Sequence, residues 1–181
     1  VITLPIEKII VSSTTHIGYI SALGEEDKIK GVSGINFIYN ENLRASADSG
    51  KIADIGYAPD INFEKILELE PDIVFLYGIE SSVSSIIARL SEVNIPAVII
   101  GEYLEKNPLG KLEWLNVFGT ILEKSAKAER IVEKVEKNYL SNKNLIIDIS
   151  GKPSVLTGLP WKDTWYMTGG DTYQSMLIAD A

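Results

Sequence analysis

Read from its amino end, the chain alternates short apolar runs with segments whose apolar residues recur at helical spacing. Lys8 to Ser13 (Lys-Ile-Ile-Val-Ser-Ser) is a compact apolar run of the kind found in a parallel strand buried on both faces. Ser13-Thr14-Thr15-His16 then supplies capping chemistry for a helix that stops at Leu23-Gly24. Lys28 to Val32 and Ala53 to Tyr57 read as the second and third strands, the third leading into a turn at Ala58-Pro59-Asp60. A helix over Asn62 to Leu69, ended at Glu70 by Pro71, has Phe63, Ile66 and Leu67 as its expected buried face. Asp72 to Tyr77 is a strong buried strand, Ser82 to Val93 a helix, and Ala97 to Ile100 a further strand after Pro96. Elements alternating at these lengths predict right-handed β-α-β units and a parallel sheet.

From Asn107 to Asn144 the pattern changes to a long helical reading. Asn107-Pro108 places a capping residue before a proline at the first helical position. Trp114, Leu115, Phe118 and Leu122, then Ile131, Val135 and Tyr139, recur at helical spacing, and Glu123–Lys127 and Glu133–Lys137 add pairs four apart in the favourable order. Gly119 and the Lys124-Ser125-Ala126 turn are expected to divide the segment or kink it. Ser154 to Thr157 then reads as the first strand of a second lobe, Leu159 to Gly170 as a loop rich in rings and glycine, and Thr172 to Ala179 as a helix. The predicted fold is α/β, with a parallel-sheet amino-terminal lobe over 1–106, a helical connector over 107–148 and the beginning of a second α/β lobe over 149–181. No strand follows the last helix before Ala181, so the second lobe reads as truncated.

Composition narrows the function classes. The 181 residues are 45% hydrophobic, enough for one sizeable core and part of a second. With 17 basic against 25 acidic residues and a net charge of −8, the chain is a poor match for phosphate backbones, and no nucleic-acid partner is expected. Cysteine is absent, which excludes disulfides and thiolate metal sites. No apolar run approaches the roughly 18 to 20 residues that cross a bilayer. Val1-Ile2-Thr3-Leu4-Pro5 is neither a signal peptide nor an initiator methionine, so a removed leader is expected.

Four features carry candidate chemistry. Ser12 to His16 follows the first strand, where the carboxyl ends of parallel strands open a crevice, and its hydroxyls offer either ligand contacts or simple helix capping. His16, the only histidine, is a candidate for axial metal or haem ligation, or for a packing role. Trp161-Lys162-Asp163-Thr164-Trp165-Tyr166 brings three large rings into six residues, either as stacking surfaces for a bulky ligand or alternating across a short strand. Glu64 points outward from the first turn of its helix, where a carboxylate suits the helix dipole.

Together these segments resemble a known family. Asn62-Phe63-Glu64-Lys65-Ile66-Leu67-Glu68-Leu69-Glu70-Pro71-Asp72-Ile73-Val74 is similar to the central signature of substrate-binding proteins of iron-siderophore, haem and cobalamin ABC importers. Ser12 to His16 with Ala22-Leu23-Gly24 and Ile29 to Val32 resembles the family's opening. Pro108-Leu109-Gly110 with Glu113-Trp114 resembles the start of its connecting helices, and Trp165-Tyr166 with Gly169 to Tyr173 its second-lobe entry. The resemblance implies two α/β lobes bridged by a rigid helix, a ligand held between them, and an exported, monomeric protein, periplasmic or at the cell surface. Membrane association would come only through an amino-terminal anchor that is removed or absent. The resemblance also implies that Glu64 pairs with an arginine of the ABC importer permease; the chain ends before the position of the second-lobe glutamate.

The candidate ligand contacts are then Ser13, Thr14, Thr15, His16, Tyr57, Tyr77, Gly78 and Tyr103, joined by Trp161, Trp165 and Tyr166 from the second lobe. Arginine is scarce: Arg89 and Arg130 read as helix surface, and only Arg44 could approach a ligand. Anionic catecholate or citrate chelates call for clustered guanidinium groups, so the expected ligand is a corrinoid, haem or an uncharged hydroxamate chelate, with any metal arriving in the ligand and no resident cofactor. The alternative is a hydrolase-like enzyme of α/β fold. No G-x-G-x-x-G, P-loop or G-x-S-x-G motif appears, and Ser13 and His16 lack a third group to orient them, so catalysis is not expected.

Overall fold

The computed structural model describes residues 1–57, 60–79, 83–147 and 151–181. The chain divides into two compact units. The first joins Val1–Gly101 to Phe118–Ser125, and the second joins Glu102–Val117 to Ala126–Ala181.

The first unit is built on five strands, β1 (Ile9–Val11), β2 (Ile29–Val32), β3 (Ala53–Asp54), β4 (Ile73–Tyr77) and β5 (Ala97–Ile100). Their order is β3-β2-β1-β4-β5 and every pairing is parallel. Each crossover contains a helix: α1 (Thr14–Leu23), α2 (Glu41–Asp48), α3 (Phe63–Leu69) and α4 (Val83–Glu92). Strand side chains alternate between the two faces. On one face Ile10, Val74 and Leu76 pack with Phe63 and Ile66 of α3 and Val83, Ile86 and Leu90 of α4. On the other, Phe75 meets Phe118, ring centroids 4.7 Å apart, and Tyr19 stacks on Phe118 at 5.0 Å.

The central pair β1–β4 is fixed at both ends. At the amino ends the Asp72 carboxylate accepts the Glu7 and Lys8 N–H groups at 2.7 and 2.8 Å. At the carboxyl ends Ser12 Oγ accepts the Tyr77 N–H at 2.6 Å, and the Ser12 N–H donates to the Phe75 carbonyl at 2.9 Å. One glycine is needed here for space: a Cβ on Gly31 would lie 3.0 Å from both Ile55 and Leu69, so α3 packs directly against β2.

Most strands and helices fall where the residue pattern predicts them, with α1 capped by Ser13 and stopped by left-handed Gly24 (φ 73°). The residues of the expected turn at Ala58-Pro59, and Ser82 at the expected start of α4, lie outside the described residues. Leu67 departs from expectation: it is exposed, and α3 instead buries Phe63 and Ile66 and packs Leu69. A seven-residue helix shows the sheet one stripe only, set by residues three apart. β3 is shorter than expected, and α2, capped by Asn40, was not anticipated.

Long helices follow, α5 (Pro108–Ile121) and α6 (Ser125–Leu145). The break between them falls at left-handed Glu123 (φ 56°), whereas Gly119 stays helical. Lys124 beside the break reaches Glu25 at 3.0 Å; Glu25 also pairs with Lys28 at 2.9 Å, and Lys28 with Glu7 at 3.5 Å. Burial works to raise the Glu25 carboxyl, but the two lysines outweigh it and hold the group below its usual range.

In the second unit, residues 154–157 are not a strand, because a strand needs a pairing partner and none is present among the described residues. The expected loop 159–170 instead begins as an antiparallel hairpin, β6 (Leu159–Trp161) with β7 (Thr164–Tyr166). Gly158 (φ 91°) permits this, since a Cβ there would collide with the Tyr166 carbonyl. The last helix, α7 (Tyr173–Asp180), is capped by Thr172 and held to α6 by Tyr139 and Lys143, both bonded to Asp180 at 2.6 Å.

Phe118 is fully buried against three rings. Phe118→Ala should therefore lower the unfolding free energy by about 3–5 kcal/mol in urea denaturation; a loss below ~1 kcal/mol would show that the ring is not a core element.

Candidate ligand-binding site

In the first unit the chain leaves β1 for β2 and β3 on one side of the sheet, and builds β4 and β5 on the other. The connections at the carboxyl ends of β1 and β4 therefore diverge, and this switch point is where open parallel sheets hold ligands. Ser13, Thr14, Thr15, Tyr77 and Gly78 all lie there. Ser13 is already engaged in capping, its Oγ accepting the Thr15 N–H at 3.2 Å, while Thr15 is exposed and Thr14 partly so.

Beside them, the loops after β2 and β3 meet. Ser33 donates its N–H to the Val11 carbonyl and its hydroxyl to the Gly56 carbonyl. Left-handed Gly34 (φ 75°) leaves the space occupied by the Tyr57 hydroxyl, with which a Cβ at this position would collide. The Tyr57 ring, half exposed, meets exposed Phe37 edge-on at 6.0 Å. Phe37, Ile38, Tyr39 and Asn40 face Thr14, Thr15, Ile17, Gly18 and Ser21 of α1 across a cleft of about 310 Å³. Ser21 Oγ is buried there without a hydrogen-bond partner among the described residues.

His16 is placed differently. It has no exposed surface and packs between Phe118 (6.0 Å) and Tyr77 (6.5 Å). An imidazole sealed in this way does not reach a solute at the surface, and its position matches the packing alternative. Desolvation lowers its pKa to about 4, against a smaller upward pull from the Phe75 backbone.

In the second unit Tyr103 sits, partly buried, in a short 3-10 turn. Trp161, Trp165 and Tyr166 belong to the hairpin and are 66%, 47% and 61% exposed. The register pairs Leu159 with Tyr166 and Pro160 with Trp165, so Trp161 and Tyr166 share one face and Trp165 takes the other. The three rings are thus divided between two surfaces, and the Trp165 indole N–H donates to the Thr157 carbonyl at 2.9 Å.

Residues 9–181 match the model of the periplasmic binding protein family. The chain belongs to that family. It is 32% identical over 182 residues to an uncharacterised lipoprotein of Methanocaldococcus jannaschii, covering 96% of this chain and 43% of that protein. A second uncharacterised protein of the same organism is 30% identical over 137 residues, 72% of this chain and 40% of that one. The chain therefore spans less than half the length of the curated relatives it matches. Among solved structures it is similar to a possible iron-binding, periplasmic solute-binding protein of Staphylococcus epidermidis (TM-score 0.75, 19% identity, 97% of this chain and 66% of that one). It is likewise similar to the periplasmic haem-binding protein RhuT of Roseiflexus sp. RS-1 (TM-score 0.67, 21% identity, 97% and 64%). At these identities the likeness is one of fold.

In this periplasmic binding protein Glu64 is exposed in the first turn of α3, which Asn62 caps by accepting the Lys65 N–H at 2.9 Å. Arg44, the one arginine that could approach a ligand, is used locally: it pairs with Asp48 at 3.2 Å and donates to the Asn36 carbonyl at 3.3 Å. Sequence reasoning missed Phe37, Tyr39 and Asn40. The available signal was two rings in three residues directly before a capping asparagine. Among the described residues no helix is long and apolar enough to cross a membrane, and no three His, Cys, Asp or Glu residues gather as a metal site.

The buried imidazole has a consequence for stability. Between pH 6.5 and about 4 the unfolded chain takes up a proton that folded His16 refuses. The unfolded state then binds more protons, so stability falls as pH drops through 6.5 and levels off below about 4. Denaturant titrations should show a His16-dependent loss of about 2 kcal/mol between pH 7 and pH 5. His16→Gln should remove that component; an unchanged slope in the variant would assign the effect to other groups.

Proposed function

We propose that this protein is an extracytoplasmic solute-binding protein that captures an iron chelate, haem or corrinoid and delivers it to an ABC importer permease. The observation behind this reading is the character of the first unit's strand-end surface: exposed rings and neutral hydroxyls at the switch point of a parallel sheet. Such a surface supports capture by stacking and neutral hydrogen bonds. The neighbouring folds are consistent with it, several being named for haem or siderophore binding, among them the Roseiflexus protein and the siderophore-binding protein BauB. The lipoprotein relative fits a location outside the cytoplasm.

In this reading Thr14, Thr15, Tyr57, Tyr77 and Gly78 are the ligand contacts of the first unit; Tyr103, Trp161, Trp165 and Tyr166 are candidate contacts of the second unit, considered by itself. Glu64 faces the permease. Its carboxylate is solvent-exposed and carried on a well-capped helix, as a charge that docks on a partner's guanidinium should be. For a hydrolase-like alternative the one histidine is poorly placed as a base, being buried with a depressed pKa.

The two halves of the proposal separate experimentally. In the full-length protein Glu64→Ala should leave solute affinity unchanged while weakening association with the permease by roughly tenfold, read by titration calorimetry and by binding to permease-containing vesicles. Loss of solute affinity with intact permease binding would refute the docking role.

A further inference from the structure

We propose that the cleft between α1 and residues 37–40 is a ligand subsite for an uncharged solute with a flat or methyl-bearing face, such as a neutral ferric hydroxamate or a corrinoid. This rests on the solute-binding reading above and narrows it to a ligand class.

Gly18 is the first observation. It stands in the middle of α1, where glycine is the poorest helix former after proline. Two other glycines of the first unit have a structural reason: Gly31 lets a helix approach a strand, and Gly34 is left-handed under the Tyr57 hydroxyl. Gly18 has neither reason, since a Cβ there would meet no atom within 4 Å. What the missing side chain leaves is clearance on the cleft wall.

The opposite wall supplies rings. Phe37 is 51% and Tyr39 91% exposed, and both project from a short segment anchored by the Asn40 cap of α2. Phe37 is further held edge-on by Tyr57. An exposed ring kept in position by its neighbours is a ready stacking surface, with little side-chain freedom left to lose on binding.

Charge decides the class. The polar lining groups are the hydroxyls of Thr14, Thr15, Ser21 and Tyr39 and the side-chain amide of Asn40, and among the described residues no cation lines the cleft. Arg44 on α2 is engaged with Asp48 and backbone carbonyls. An anionic chelate would leave its charge unmatched here, whereas a neutral ligand would find hydroxyls and a side-chain amide. A volume of about 310 Å³ accommodates one side of a large chelate.

The test titrates the full-length protein with ferrichrome (a neutral ferric trihydroxamate), cyanocobalamin, haem and a ferric tris-catecholate, following intrinsic fluorescence and heat. Binding of ferrichrome or cyanocobalamin is expected. Gly18→Phe, which fills the cleft, should weaken it by about tenfold or more, and Tyr39→Ala by about three- to tenfold. Gly18→Ala should raise the thermal midpoint, confirming that the fold does not need this glycine. Should Gly18→Phe fail to fold, Tyr39→Ala decides, because that side chain lies outside the core. Neutral-ligand binding that ignores both variants overturns the subsite while leaving solute binding intact. Binding of haem or the catecholate alone overturns the ligand class. If none of the four binds and the protein does not associate with a permease, the solute-binding reading itself fails.

Discussion

The parallel pairing of β1 with β4 is the constraint from which the first unit follows. Strands paired this way cannot be joined by a tight turn, so each must be followed by a crossover that covers a face of the sheet. That accounts for the full burial of Ile9, Ile10 and Val11 and of Ile73 to Leu76. It also explains the polar ties at the two ends of the pair, Asp72 accepting at the start and Ser12 at the finish. With β2 and β3 built to one side and β5 to the other, the connections after β1 and β4 must part. The open ground they leave is where the exposed threonines of α1 lie. His16, one residue further on, turns inward and joins Phe118 in the core beneath.

Much of this was legible in the residue pattern because β1, β4 and β5 are short apolar runs and the helices between strands end at strong stop signals. Gly24 ends α1 and Pro71 enforces the end of α3 after Glu70 takes a left-handed conformation. Reading failed where partner identity decides the outcome. Whether Val155 and Leu156 form a strand depends on an adjacent strand, and apolar character alone cannot supply one. The hairpin at 159–166 failed for the converse reason: its two-residue turn, Lys162-Asp163, lacks the Asn-Gly or Asp-Gly signal that usually marks such turns, with Lys162 itself at φ 46°. In the candidate site, Thr14, Thr15, Tyr57, Tyr77 and Gly78 could be nominated because they follow strands. Phe37 and Tyr39 could not, since their relation to α1 is a tertiary one.

His16 and Arg44 show why residue type is a weak guide to role. Both were candidates because histidine ligates metals and arginine binds anions. Each was diverted by a neighbour. Aromatic side chains surround the imidazole, and desolvation then favours its neutral form. Asp48, four residues along the same helix, holds the guanidinium near the carbonyls of residues 35 and 36. Arg44 is thus held by its own helix and the preceding loop rather than turned toward the cleft beside α1.

Exposed rings do not all carry the same weight. Trp161, Trp165, Tyr166 and Met167 are exposed, but so is almost every residue from 151 to 171, and a two-stranded hairpin has no core of its own in which to bury them. Their exposure follows from the hairpin's lack of a covering layer and would be seen whether or not they touch a ligand. Phe37, Tyr39 and Tyr57 stand on a unit with a packed core, with 0% exposure at Ile9, Ile10, Val11, Val32, Ile73, Val74 and Phe75, although aliphatic side chains such as Leu67, Ile79 and Ile99 are also exposed on it. A sequence able to bury that much apolar surface has left these rings out of the core while fixing two of them against each other. The physical argument for ligand contact is therefore stronger at the mouth of the first unit than at the tryptophan-rich hairpin, the reverse of what ring density along the chain implies.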